Sequence, residues 1–281
     1  MRSVEPLEIG LMFWAQEDAR QTLRDVKSFG VSAGQLGFPG EMPLAGRAAA
    51  WKAALADENF AVTTAVCSYA GEDYADIPTV QRTVGLVPEP TRAERIARTK
   101  EVAGVAAELG IKSVACHIGF VPHDPQLPLY TQVRDLARDI CDYCAGHGQN
   151  FTLETGQEPA AILRRFISDV DRPNLKINFD PANMVLYGSG DPIEALRSLA
   201  PNVISVHCKD GHWPPKGEPN ALGKEQALGK GSVNIPLFIA TLKEIGYKGL
   251  LAVEREEKDQ AQRAADIRGG IALLRQITGR A

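Results

Sequence analysis

The chain has 281 residues, 44% of them hydrophobic, which is enough to bury a large core, and a one-domain (β/α) barrel reaches this length. A formal net charge of −4 and the lack of any Lys/Arg run argue against a nucleic-acid backbone as partner, which needs a concentrated basic face. No apolar run approaches the ~18 residues of a bilayer span and the opening MRSVEPLEIG has no signal-peptide stretch, so no membrane partner and a cytoplasmic location are expected.

Short apolar, β-branched runs alternate with longer amphipathic ones along the chain. The first predicted strand, residues 7–14 (LEIGLMFW), precedes the helical DARQTLRDVKSFG, and the second, 31–38 (VSAGQLGF), precedes AGRAAAWKAALADENF. Strand three, 61–69, runs into a long loop of about residues 70–90. The helix TRAERIARTKEVAGVAAELG follows, in which Ile96, Val102, Val105 and Leu109 recur at helical spacing before a glycine stop. Strand four (112–119, KSVACHIG) precedes PLYTQVRDLARDICDYCAG, strand five (150–156, NFTLETG) precedes EPAAILRRFISDV, and strand six (175–180, LKINFD) precedes DPIEALRSLA. Strand seven, 203–210, opens a second long loop, GHWPPKGEPNALGKEQALGKGSVN, then the helical NIPLFIATLKEIG and strand eight, 249–256 (GLLAVERE).

Strand then helix, repeated eight times, implies parallel strands with right-handed crossovers. The closed form is a single α/β (β/α)8 TIM barrel, expected as one domain over residues 1–281. Both long loops fall on the side of the strand C-termini, where barrel enzymes build their sites.

Five cysteines in a chain read as unsecreted fit reduced thiols, and Cys141 and Cys144, a C-x-x-C within a helical pattern, read as helix packing. The segment GKGS at 229–232 lacks the P-loop frame and reads as a turn before a helix.

Four successive strands end on polar groups: Glu154, Asp180, His207 and Glu254. Alternation aims each into the barrel mouth, so three carboxylates and one imidazole converge. Carboxylates so placed repel unless a cation sits among them, and a divalent metal resolves the conflict; oxygen-rich ligation with one His suits Mn2+, Mg2+ or Co2+, with Zn2+ also admitted. The plain alternative satisfies these groups with Lys176, Lys209 and Arg255. His117 at the end of strand four is a candidate for substrate contact, against a hydrogen-bonded core histidine. Lys209 is a candidate to hold a substrate oxygen, against a salt bridge to Asp210 or Glu256. Glu158 is a further substrate candidate, although capping of the helix at Pro159 also explains it. Phe13, Trp14, Tyr69 and Trp213 are candidates for an apolar wall on which a ligand ring stacks. His123 and His147 read as solvent-facing.

The runs LETGQE, FDPANM, VHCKDG, LGKGSVN with LFIATLKEIGYKG, and AVERE together resemble the sugar phosphate isomerase/epimerase family of xylose isomerase-like TIM barrels, over most of the chain. The resemblance implies a cytoplasmic enzyme of carbohydrate metabolism that acts on a sugar, sugar phosphate or cyclitol and works as a homo-oligomer. It further implies one divalent metal, Mn2+ first, on Glu154, Asp180, His207 and Glu254. In the family's 3-epimerases the first and last glutamates also exchange the substrate proton through an enediolate, which makes Glu154 and Glu254 the catalytic pair. The chain departs from that pattern at Asn183, where the epimerases have His, at Trp213, where they have Arg, and at Gln35, where many members carry Glu. Asn183 and His212 thereby join His117, Lys209, Glu158 and Trp14 as substrate-binding candidates. The expected reaction is isomerisation or epimerisation by proton abstraction beside a metal-bound carbonyl. The alternative is elimination, as by a dehydratase or lyase on a keto-sugar, keto-glycoside or inosose. An endonuclease IV-like activity is disfavoured by only five histidines and the net negative charge, and a non-catalytic barrel by the presence of both glutamates.

Overall fold

A computed structural model of the chain describes residues 2–280; Met1 and Ala281, the ends of the expected domain, lie outside that range. Strands β1 (Ile9–Trp14), β2 (Ala33–Phe38), β3 (Ala61–Cys67), β4 (Ser113–Cys116), β5 (Asn150–Glu154), β6 (Leu175–Phe179) and β7 (Val203–Cys208) follow one another round a ring. After a short antiparallel hairpin of β8 (Asp210–His212) and β9 (Lys224–Gln226), strand β10 (Leu251–Val253) closes the ring between β7 and β1. Every pairing round the ring is parallel, as the alternating pattern requires. The architecture is a (β/α)8 TIM barrel.

Helices α1 (Ala19–Lys27), α2 (Arg47–Asp57), α3 (Ile77–Thr83), α4 (Glu89–Glu108), α5 (Pro128–Gly146), α6 (Ala160–Val170), α7 (Pro181–Tyr187), α8 (Pro192–Leu199), α9 (Ile235–Glu244) and α10 (Gln260–Thr278) fill the connections. Among the described residues no helix is long and apolar enough to cross a membrane. Cys141 and Cys144 are buried on α5, and burial pushes both thiols up to about 12, so they act as packing groups.

The main core lies between strands and helices. Leu36, Phe38, Val114, Phe151, Leu153, Ile177, Phe179 and Val206 face outward into it. The alternate residues face inward and are mostly small or polar, with Leu250, Met12 and Val66 as larger apolar members. The lower interior holds Ala33, Ala61, Leu250 and Ala252, and Gly10 belongs there because a Cβ would sit 2.5 Å from the Ala33 carbonyl oxygen. Above them lie Gln35, Thr64, Ser113, Thr152, Asn178 and Ser205, all buried. Barrel interiors more often carry bulky branched side chains. Two register shifts, between Gly34 and Gln35 on β2 and between Ile177 and Asn178 on β6, flank this polar layer. Such bulges re-aim side chains, here those that support His207.

The two long loops carry structure that hydropathy did not disclose: α3 in the first and the β8–β9 hairpin in the second. They meet over the barrel mouth, where the Ile77 amide donates to the Asn220 carbonyl at 3.0 Å. The second is anchored by Asp210, whose carboxylate accepts the amides of Gly211, Gly229, Gly231 and Val233 at 2.9–3.1 Å. The GKGS turn is thus an anion cradle already filled by the chain's own carboxylate. Gly231 is required there, since a Cβ would lie 2.2 Å from Asp210 Oδ1.

Replacing Asp210 by Asn removes the charge that binds these four amides. Asp210→Asn is expected to lower stability by about 1–3 kcal/mol in denaturant titration and to open residues 213–233 to limited proteolysis. An unchanged midpoint with an uncut loop would refute this anchoring role.

Candidate metal centre

The inward rows of β5, β6, β7 and β10 end together. One potential ligand atom from each of Glu154, Asp180, His207 and Glu254 lies within 4.8 Å of the others. His207 Nδ1 is 2.9 Å from Glu254 Oε2 and 3.4 Å from both Glu154 Oε1 and Asp180 Oδ2. His207 Nδ1, Asp180 Oδ2 and Glu254 Oε2 are buried and have no hydrogen-bond partner of acceptable geometry. Buried polar atoms are seldom left so.

The surroundings fix each group. Gln35 donates its amide to Asn178 Oδ1 and to the Val206 carbonyl, both at 3.2 Å, which turns its Oε1 to His207 Nε2 at 3.1 Å. Asn178 Nδ2 stands at the same 3.1 Å from Nε2, and the two amides together hold the ring so that Nδ1 is presented to the carboxylates. Asp180 divides its carboxylate: Oδ1 caps α7 by accepting the Asn183 amide at 2.9 Å, and Oδ2 enters the cluster. Asn183 Nδ2 donates to Glu154 Oε1 at 3.0 Å. Thr155 ties the ends of β5 and β6 through the backbone of Asp180.

Burial opposes charge on Glu154, yet His117 and His207 hold its carboxyl below the usual range. The same contest keeps Glu254 low through His207 and Lys209. Burial dominates at Asp180 and raises it, and at His207 the surrounding carboxylates outweigh burial and hold the imidazole well above its ordinary value. The group therefore calls for a cation at Nδ1. Lys209 Nζ, 3.4 Å from Glu254 and 3.3 Å from Glu256, balances it from above.

A cavity of about 980 Å3 opens over the cluster. Trp14, Tyr69, Tyr74 and Tyr187 supply aromatic surface, with His117, Asn183 and Lys209 beside Glu154 and Glu254. Tyr74 leans on His117 at 5.9 Å between ring centres, and Glu72 holds their loop by accepting the Tyr69 and Gly85 amides at 3.1 and 2.9 Å. His117 Nε2 is 3.4 Å from Glu154 Oε1, while its Nδ1 is buried without a partner.

Residues 23–277 match the family model described as xylose isomerase-like TIM barrel. The chain belongs to the xylose isomerase-like TIM barrels. It is 41% identical to a xylose isomerase domain protein from Planctomyces limnophilus, with 97% of each chain covered and a TM-score of 0.91. It shares the fold of 3-keto-D-glucoside 4-epimerase from E. coli at 20% identity, 96% and 99% coverage and a TM-score of 0.69. Other barrels sharing the fold include a D-psicose 3-epimerase at 17% identity and a probable 3-DHS dehydratase from Bacillus anthracis at 16%. The protein MJ1311 of Methanocaldococcus jannaschii is 25% identical over 175 residues, which are 58% of this chain and 57% of that one. The chain thus spans little more than half the length of that curated relative.

Within this xylose isomerase-like barrel, four of the six expected substrate contacts, His117, Asn183, Lys209 and Trp14, line the cavity. Two do not. His212 points to Ser232 Oγ on the exposed hairpin, and Glu158 is buried, with its carboxyl oxygen accepting the Val121 amide at 2.8 Å. The apolar wall also differs from expectation. Phe13 packs outward on Phe60 and Trp213 is exposed outside the cavity, while Tyr74 and Tyr187, unmarked by any motif, take their places. Lys209 pairs with Glu256 rather than Asp210, and Arg255 turns away to Glu225 and Asp266.

Burial raises the Glu158 carboxyl to about 8 from its ordinary 4.5. Above 4.5 the folded chain therefore binds a proton that the unfolded chain has lost, and stability falls as pH rises through about 8. Chemical denaturation between these limits is expected to show a decline on the order of a few kcal/mol that Glu158→Gln flattens; an identical decline in the variant would exclude Glu158 as its source. Gln35→Leu is expected to weaken divalent-metal affinity by about 10–100-fold in chelator competition, and unchanged affinity would remove Gln35 from the support of His207.

Proposed function

We propose that the protein is a divalent-metal-dependent isomerase or epimerase of a sugar or cyclitol, working by proton abstraction beside a carbonyl. The observation that carries this reading is the set of three buried, partnerless atoms on Asp180, His207 and Glu254, closing with Glu154 on one point under a polar cavity. These four residues fit a metal ion. The donor set, three carboxylates and one imidazole, favours Mn2+, with Mg2+, Co2+ and Zn2+ as substitutes.

When bound, the ion supplies Lewis acidity that makes a C–H beside a carbonyl more acidic. The chain's own residues handle the proton. Glu154 and Glu254 are both held ionised, so each is ready to accept one, and they stand on β5 and just beyond β10, strands that lie on either side of β7 in the ring. A ligand between them offers opposite faces of one carbon to the two carboxylates, the arrangement that removal and return of a proton requires. Asn183 orients Glu154, and Trp14 and Tyr74 offer ring faces to the ligand. The epimerase names among the structural neighbours support this reading.

A second reading, elimination by a dehydratase or lyase, rests on His117. It lines the cavity with Nε2 3.4 Å from Glu154 Oε1, a placement suited to protonating a leaving group. The dehydratase among the neighbours is in keeping with it.

Protein purified without chelator is expected to carry a single divalent ion per chain by mass spectrometry, lost in His207→Ala. Glu154→Gln and Glu254→Gln are each expected to abolish solvent deuterium uptake into ketose or keto-cyclitol substrates while circular dichroism stays unchanged. Metal-free protein even after incubation with Mn2+, or deuterium uptake surviving either change, would defeat the proposal.

A further inference from the structure

The cavity has a charge balance that bears on the substrate. Besides the ligand group, six carboxylates line it: Glu41, Glu72, Asp76, Glu218, Glu225 and Glu256. Among the described residues lining it there is no arginine, and Lys209 is the only lysine. Recognition of a phosphate or carboxylate needs free cations or a cradle of unengaged amides. Among the described residues lining the cavity no lysine or arginine is free for this. The cradle at residues 229–233 is filled by Asp210, and Lys209 is held by Glu254 and Glu256.

The three carboxylates round Lys209 differ. Glu254 and, at 4.0 Å, Asp180 belong to the group that converges on His207 Nδ1, whereas Glu256 does not. Glu256 stands three residues past the end of β10 among the residues lining the cavity, its side chain 60% exposed, with Oε2 3.3 Å from the ammonium. When Glu254 serves a metal, Glu256 remains to neutralise Lys209. A ligand reaching this part of the cavity therefore meets acceptor oxygens, which suit hydroxyl donors and repel anions.

Resting on the proposed reaction at this same site, we propose that the substrate is an uncharged, unphosphorylated polyhydroxy ketone, and that Glu256 enforces this by occupying Lys209. Trp14 and Tyr74, both partly exposed in the cavity, supply the ring-stacking faces that such a ligand uses in place of charge. At about 980 Å3 the space stands at the upper end of ligand cavities and accommodates a glycoside as well as a free ring.

The test is calorimetric titration of the full chain at low ionic strength, where charge effects are least screened. The probes are D-fructose, D-fructose 6-phosphate and inorganic phosphate, used on the protein with its native metal and again after chelation. Wild type is expected to bind neither phosphate compound more tightly than D-fructose. Glu256→Gln is expected to strengthen both phosphate compounds by about tenfold or more without strengthening D-fructose, and Lys209→Met in that background to remove the gain. Glu256→Ala repeats the test should the Gln variant misfold. A wild type that prefers either phosphate compound overturns the inference, as does a Glu256 variant with wild-type phosphate affinity. These outcomes are separate from the proposed reaction. Deuterium uptake surviving Glu154→Gln would defeat the reaction while the titrations still decide substrate charge, and a preference for D-fructose 6-phosphate would leave the reaction standing.

Discussion

Three carboxylates meet one imidazole nitrogen at the end of a closed barrel, and much of the surrounding structure follows from that repulsion. Bringing Glu154, Asp180 and Glu254 to His207 Nδ1 raises the demand for positive charge at a buried point. The fold meets part of it with Lys209, 3.4 Å from Glu254 Oε2, and directs the rest at the cluster itself, where Asp180 Oδ2 and Glu254 Oε2 make no hydrogen bond of good geometry. Removing water from the site makes each of these interactions stronger, so the geometry has to be held firmly.

That support comes from an interior unlike a packed hydrocarbon barrel. The lower layer is glycine and alanine with Leu250, the middle layer a set of amides and hydroxyls in which Gln35 and Asn178 are hydrogen-bonded to each other, and the top layer the charged cluster. The middle layer passes rigidity from the backbone to the ligand atoms: the Val206 carbonyl fixes Gln35, which fixes His207. Apolar packing that stabilises the chain is displaced to the strand–helix layer, which leaves the interior available for chemistry.

All eight barrel strands were legible because each carries an outward apolar row at period two, and the main helices because their apolar stripe returns every third or fourth residue. The four cluster residues were legible because alternation places strand-terminal polar groups at one mouth. Other features depend on contacts far apart in the chain. Tyr74 reaches the cavity from a loop with no periodicity, and Tyr187 ends α7, which is too short for a stripe, although Asp180 and Pro181 mark its start. The register shifts beneath Gln35 and Asn178 leave no trace in hydropathy, and only the closed ring shows that Gln35 and Asn178 are neighbours. Glu158 and His212 have the right residue type near the right strand ends, but backbone direction just past a strand decides the face, and alternation no longer applies there.

The divided carboxylate of Asp180 makes one side chain answer to two masters, a helix end and a charge cluster. Helix α7, which it caps, leads to Leu186, whose carbonyl accepts the Gly223 amide of the overlying loop at 2.8 Å. Substitutions at 180 and in that loop should consequently be epistatic rather than additive. Sequence drift in the lid is then constrained by a residue it never touches, so the lid and the barrel mouth must diverge as one unit.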